Sequence, residues 1–269
     1  VPDYHIFQIY YSEATRQTLD GGFIPLDNTP NERPDWSEYW PIRNFLLQNK
    51  LVDEDFYGFL SPKFGEKTRL AAAEVHNFLR RSGVAAEVAL FSPFFDQSAY
   101  YLNTFEQAAN VHARMIDACR QCAPLIAPNL ELFGTVMCSL NTVYSNFLVA
   151  KPSFWRRWFE ICEIIFRIAE KRNSELADIL NAPTGHRLGS APIKVFIIER
   201  VASALLTCER RWRVIAYNPM KMQRFVEGYE YEQILMDALK IAYTVQGYEQ
   251  YIQAFFRIRD EIIRQLQLT

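Results

Sequence analysis

The sequence predicts an α/β domain: a mostly parallel central sheet flanked by helices, followed by a helical C-terminal tail. Three observations carry that expectation. Short apolar runs at residues 5–11, 55–60 and 88–92 each stop at a serine or proline, as buried strands do. A stretch with helical spacing lies between the last two, which is the βαβ pattern of a parallel sheet. Beyond residue 229 the apolar positions recur at helical spacing to the end of the chain.

The elements follow in order. His5 to Tyr11 is rich in β-branched and aromatic residues and reads as a first strand opening into a loop at Ser12. Residues 21–34 gather Gly21, Gly22, Pro25, Asp27, Asn28, Pro30, Asn31 and Pro34, a loop composition. Trp36 to Asn49 has helical spacing, with Pro41 expected in the first turn or at a kink. Asp55 to Leu60 is a central strand, and a helix from Lys67 to Arg81 should end at Gly83 as its cap. Val88 to Ser92 is the third strand, and Gln97 to Cys122 reads as helix. Thr135–Leu140 and Ser145–Ala150 read as strands, and Pro152 restarts an amphipathic helix carrying Trp155 and Trp158. A polar break at residues 182–186 precedes a helix from Lys194 to Cys208, and Arg213 to Tyr217 is a last short strand. The organisation expected is a domain over residues 1–217 and a helical extension over 218–269 packed on it.

Composition narrows the function. A chain of 269 residues with 49% hydrophobic and 22% charged residues buries a sizeable core and is not a disordered polymer. Lysine and arginine number 29 against 31 acidic residues, so no positive field exists to hold nucleic acid. No apolar run approaches the ~20 residues of a membrane span. Five cysteines without a second CxxC beside Cys119 and Cys122 point to free thiols and a reducing cytoplasm. No Walker or Rossmann glycine loop and no Gly-x-Ser-x-Gly elbow occurs, which weakens kinase, dehydrogenase and serine-hydrolase readings.

Four segments carry a resemblance: residues 34–43 (PDWSEYWPIR), 56–64 (FYGFLSPKF), 145–155 (SNFLVAKPSFW) and Ile198-Glu199-Arg200. In this order they resemble bacterial capsular and cell-surface polysaccharide glycosyltransferases of the GT-A fold, over about residues 5 to 208. The resemblance implies a GT-A-like, Rossmann-type sheet and a nucleotide-sugar donor. It implies that Tyr10, Tyr11 and Ser12 lie near the base and ribose, and that Lys63, just past a strand end, neutralises the diphosphate. Core tyrosines and a solvated surface lysine are the plain alternatives. The acceptor expected is a growing glycan or a lipid-linked saccharide. Peripheral contact at the inner face of the membrane, or self-association, could involve the C-terminal helices.

Many GT-A enzymes hold Mn or Mg with Asp-x-Asp after a central strand. Here Asp53-Glu54-Asp55 precedes its strand and reads as a solvated turn. Asp96 follows a strand with only Gln97 beside it, a poor cage. Asp96 is therefore a weak metal or donor-sugar contact, and metal independence, with Lys63, Arg43 and helix N-termini neutralising the donor, is the other expectation. For a general base the candidate is Glu199, a carboxylate among Val195, Phe196, Ile197, Ile198 and Val201. A structural ion pair with an arginine is its alternative. Asn141, Ser145 and Asn146 could hydrogen-bond sugar hydroxyls, and Trp40, Trp155 and Trp158 are either a sugar platform or core. A non-catalytic sugar-binding or scaffolding module of the same fold is the competing function.

Overall fold

The computed structural model describes residues 2–82, 86–111, 114–186 and 189–268. In chain order its elements are β1 (Tyr4–Tyr10), α1 (Glu13–Arg16), β2 (Ile24–Asp27), α2 (Tyr39–Gln48), β3 (Phe56–Leu60), α3 (Phe64–Thr68) and α4 (Ala72–Ser82). Next come β4 (Val88–Leu90), α5 (Phe95–Tyr100), α6 (Thr104–Val111), α7 (Met115–Ile126), β5 (Leu148–Ala150), α8 (Pro152–Lys171) and α9 (Glu175–Asn181). The chain closes with β6 (Pro183–His186), β7 (Gly189–Pro192), α10 (Ile193–Cys208), β8 (Val214–Ala216), α11 (Glu230–Gln246) and α12 (Glu249–Leu268).

The central sheet has the order β2-β1-β3-β5-β4-β8, and β5 alone runs against the others. The fold is thus α/β with a mostly parallel sheet, as the strand and proline pattern predicts. The simple βαβ expectation needs correcting. β3 and β4 run the same way but are not neighbours, because β5 pairs antiparallel with both. Gly58 makes that insertion possible: a Cβ there would lie 2.8 Å from Val149 Cγ2 and 3.2 Å from the Leu148 carbonyl.

Side chains alternate across the sheet with period two. Tyr57 and Phe59, Val88 and Leu90, Leu148 and Ala150 point into a core shared with α7, α8 and α10. Phe56 and Leu60, Ala89 and Val149 point the other way, onto Val75 and Leu79 of α4. Each large buried side chain is worth roughly 1.5–3 kcal/mol in this setting. Trp155 and Trp158 of α8 are fully buried, with the Trp155 indole donating to the Tyr57 carbonyl at 2.8 Å. They are core, so the sugar-platform option fails for both.

Other differences have local causes. The loop read over residues 21–34 contains β2, an edge strand tolerant of Pro25. The helix read from Lys67 begins earlier, at Phe64, and breaks at Arg69, whose φ is +60°; its Gly83 cap lies outside the described residues. The helix read over 97–122 is three helices. Asn103 interrupts it, its Oδ1 accepting from Phe105 N and Glu106 N as an N-cap while Nδ2 donates to the Leu132 and Thr135 carbonyls.

Thr135–Leu140 is not a strand, because side chains capture its backbone: Asn141 Oδ1 accepts from Cys138 N, and Asp237 accepts from Ser139 N and Oγ. Cys119 and Cys122 are buried thiols, pushed up to about 11 and about 12 by their apolar surroundings. The tail forms α11 and α12, packed on the rest through Met236 and Phe255 against Leu102 and Val136. Lys240, fully buried, donates to the Ser98 and Tyr101 carbonyls across that seam. Among the described residues no helix is long and apolar enough to cross a membrane.

Candidate functional site

In an open α/β sheet, ligands bind beyond the carboxyl ends of the strands. The segments after β1 and β3 meet there, tied by Gln8. Its buried amide reaches the Ser61 and Pro62 carbonyls at 3.4 Å, and its Oε1 accepts from Asp20 N at 2.9 Å. Asp20 in turn accepts from Ala72 N at 2.8 Å, anchoring the loop to the start of α4.

Three hollows with shared walls result. The first, about 390 Å³, is lined by Gln8, Tyr11, Thr15, Lys63 and Phe64. The second, about 220 Å³, shares Tyr11 and adds Asn28, Asn31, Ser37 and Glu38. The third, about 30 Å³, shares Ser37 and Glu38 and is walled by Ser61, Lys67, Ser145, Asn146 and Glu199. The first hollow alone reaches the scale of a small-molecule site, and the second extends it; the narrow one admits about a single water-sized group.

The narrow hollow holds groups that the fold leaves unsatisfied. Ser61 Oγ and Asn146 Oδ1 are buried with no hydrogen-bond partner among the described residues, a condition costing about 1–3 kcal/mol each. Ser145 and Asn146 both sit in the left-handed region, at φ +58° and +53°. Such backbone conformations cost on the order of 1–3 kcal/mol and gather at ligand sites. Lys67 Nζ donates to Ser145 Oγ at 2.9 Å.

Glu199 projects from α10, a helix buried on nearly all sides. Its nearest cation is Arg200, Nη1 to Oε2 at 3.9 Å. Arg200, however, spends its donors on the Thr104 and Phe196 carbonyls and on Gln107 Oε1. Glu199 thus makes no side-chain hydrogen bond among the described residues. Burial raises its pKa above the ordinary carboxylate value, Arg200 and Lys67 offset part of that, and Glu38 adds to it. A carboxylate whose pKa is raised is the stronger base for proton abstraction.

The other expected residues divide. Tyr11, Lys63, Ser145 and Asn146 line the cleft with Glu199. Tyr10 is buried at the end of β1, and burial and the neighbouring Asp27 carboxylate raise its pKa. Ser12 caps α1, accepting from Thr15 N at 3.1 Å, and its hydroxyl is spent there. Arg43 is not at the cleft: Nε and Nη2 bond Glu163 at 2.6 and 3.1 Å, and the guanidinium lies 4.3 Å from the Phe166 ring. Trp40 sits between Arg33 and Arg43, 5.6 Å from each. Asn141 lines a separate cavity with Trp212 and Tyr243.

Asp96 is also elsewhere. It is 2% exposed, accepts from Phe225 N and Val226 N at 3.2 Å and from Gln97 Nε2 at 2.9 Å, and so pins the segment after β8. Glu38 and Lys67 belong to the cleft without any expectation from sequence. The only hint for Lys67 is its spacing of four from Lys63.

The carboxylates at hand do not fit a divalent ion. Asp53 pairs with Arg156, and Asp55 accepts from His5 and from Asp3 N, at the far end of β3. No group of three or more His, Cys, Asp or Glu residues that could hold a metal occurs among the described residues. Glu38 and Glu199 share the narrow hollow, but an ammonium shares it too. In comparisons with protein families, with curated proteins and with solved structures, nothing matches this chain.

Proposed function

We propose that this chain is a glycosyltransferase of the GT-A type. It binds a nucleotide-diphosphate sugar in the cleft beyond β1 and β3 and moves the sugar to a hydroxyl of a cell-surface glycan acceptor. The observation that carries the reading is Glu199, a carboxylate with no hydrogen-bond partner among the described residues, facing Ser61, Ser145 and Asn146 across a hollow one hydroxyl wide. Amide and hydroxyl groups left without partners are the chemistry that sugar hydroxyls satisfy, and a carboxylate whose nearest cation is 3.9 Å away is the base in this reading. Tyr11 offers a ring for a base, and the adjoining hollows have room for a nucleoside. No step is assigned to a metal ion.

A panel of nucleotide sugars tests this by thermal unfolding. A donor present at a hundredfold excess over its dissociation constant stabilises the fold by about 2.7 kcal/mol, which raises the Tm by several degrees. Glu199→Gln should keep that shift and abolish glycan production. A shift with intact production would make the chain a non-catalytic sugar-binding module. No shift with any donor would remove the proposal.

A further inference from the structure

When a sugar leaves its nucleotide donor, negative charge grows on the departing diphosphate, and something cationic must meet it. The cleft holds two ammonium groups for that purpose. Lys63 follows β3 directly and lines the large hollow; Lys67, four residues on, reaches the narrow hollow beside Glu199. Lys67 is a held group. Its Nζ donates to Ser145 Oγ at 2.9 Å and lies 5.6 Å from the centre of the Phe147 ring, which leaves further donors of the ammonium for a ligand. The residue that holds it belongs to the left-handed pair Ser145–Asn146, so a strained turn is maintained where it fixes a cation. A divalent ion in this hollow would sit against that cation. Asp53, Asp55 and Asp96 are engaged elsewhere, and Asp20, which lines the large hollow with Glu66, accepts from Gly22 N and Ala72 N.

We infer that Lys67, oriented by Ser145, acts with Lys63 as the electrophilic catalyst of the transfer, and that donor binding and turnover require no divalent cation. This rests on the nucleotide-sugar reading above. In the step, Glu199 takes the proton of the acceptor hydroxyl, whose oxygen forms the new bond to the anomeric carbon. The bond from that carbon to the phosphate oxygen breaks, and its electron pair stays on the phosphate. The nucleoside diphosphate departs with one more negative charge than the donor carried, facing Lys63 and Lys67.

Calorimetric titration of the purified chain with UDP, GDP, ADP and dTDP, once in EDTA and once in excess MnCl2, tests the inference. The nucleotide that binds should do so equally in both solutions and more weakly at high salt. Lys67→Met should weaken it by roughly 10- to 100-fold, the worth of a charge-assisted hydrogen bond. The corresponding uncharged nucleoside should bind as before. Lys67→Arg, which keeps the charge, should retain most of the affinity. Ser145→Ala, which frees the ammonium without removing it, should lose less than Lys67→Met and guards against a folding defect in that variant. Binding seen only with Mn, or Lys67→Met and Ser145→Ala both binding as wild type, overturns the inference and leaves the transferase reading standing. No binding by any of the four nucleotides in either solution overturns both.

Discussion

Lys194 and Glu199 lie five residues apart on α10, the first side chain 1% exposed and the second 33%, and the fold treats them in opposite ways. Lys194, 1% exposed, donates to Asp35 Oδ2 at 2.5 Å and to Asn181 Oδ1 at 2.9 Å, and its ammonium lies 4.3 Å from the Trp36 ring. Arg33 closes the network, bonding Asp35 through Nε and Glu170 through both terminal nitrogens. Although burial pushes the Asp35 carboxyl up, Arg33 and Lys194 bring it down to about 2. Glu199 has no such company, and its carboxyl is raised. A buried charge with every partner in place is architecture. A carboxylate one third exposed, with only the Arg200 guanidinium 3.9 Å away and a hollow with other unsatisfied groups before it, is the kind of group that a site uses.

That contrast can be broken by mutation. The largest effect is expected at Glu199. Glu199→Gln should lower turnover by about 10²- to 10⁴-fold, the usual worth of a general base, with the donor affinity kept; a loss confined to KM would reassign the residue to binding. At the other pole, Asp35→Ala leaves Lys194 and Arg33 without their shared carboxylate. It should cost roughly 3 kcal/mol and lower the Tm by on the order of 5–10 °C. Donor affinity measured below the new transition should be unchanged. The smallest effect is expected at Asp96. Asp96→Asn weakens the anchor on Phe225 N and Val226 N, costing about 1–3 kcal/mol with turnover intact. Lost turnover at unchanged stability would return Asp96 to the cleft.

Much of the fold was legible because local rules and the tertiary outcome agree. The strands Tyr4–Tyr10, Phe56–Leu60 and Val88–Leu90 have apolar runs stopped by serine or proline, and Pro152 stands in the first turn of α8 as its sequence implies. The insertion of β5 between β3 and β4 was not legible. Pairing across a sheet is a tertiary choice, marked here only by Gly58. Thr135–Leu140 misled because strand-like composition lost to Asn103, Asn141 and Asp237, and Asp237 lies about a hundred residues away in sequence. Asp96 misled in the same way, since the amides that occupy it come from residues 225 and 226. Within the cleft, Glu199 stood out as a charge in an apolar helix. Glu38 and Lys67 did not, because what makes them site residues is convergence in space.

Unfolding measured from pH 4 to pH 8 on the wild type and Glu199→Gln tests the central claim most directly. A carboxyl raised in the folded state binds more protons folded than unfolded between its two pKa values, so stability falls as pH rises through that interval. The two proteins should therefore differ least in unfolding temperature at the acid end of the range, where Glu199 is most protonated. As pH increases, Glu199→Gln should become the more stable, its advantage complete above the raised pKa. A Glu199→Gln protein less stable than wild type at neutral pH would show that the carboxylate is paired and structural, contradicting the account.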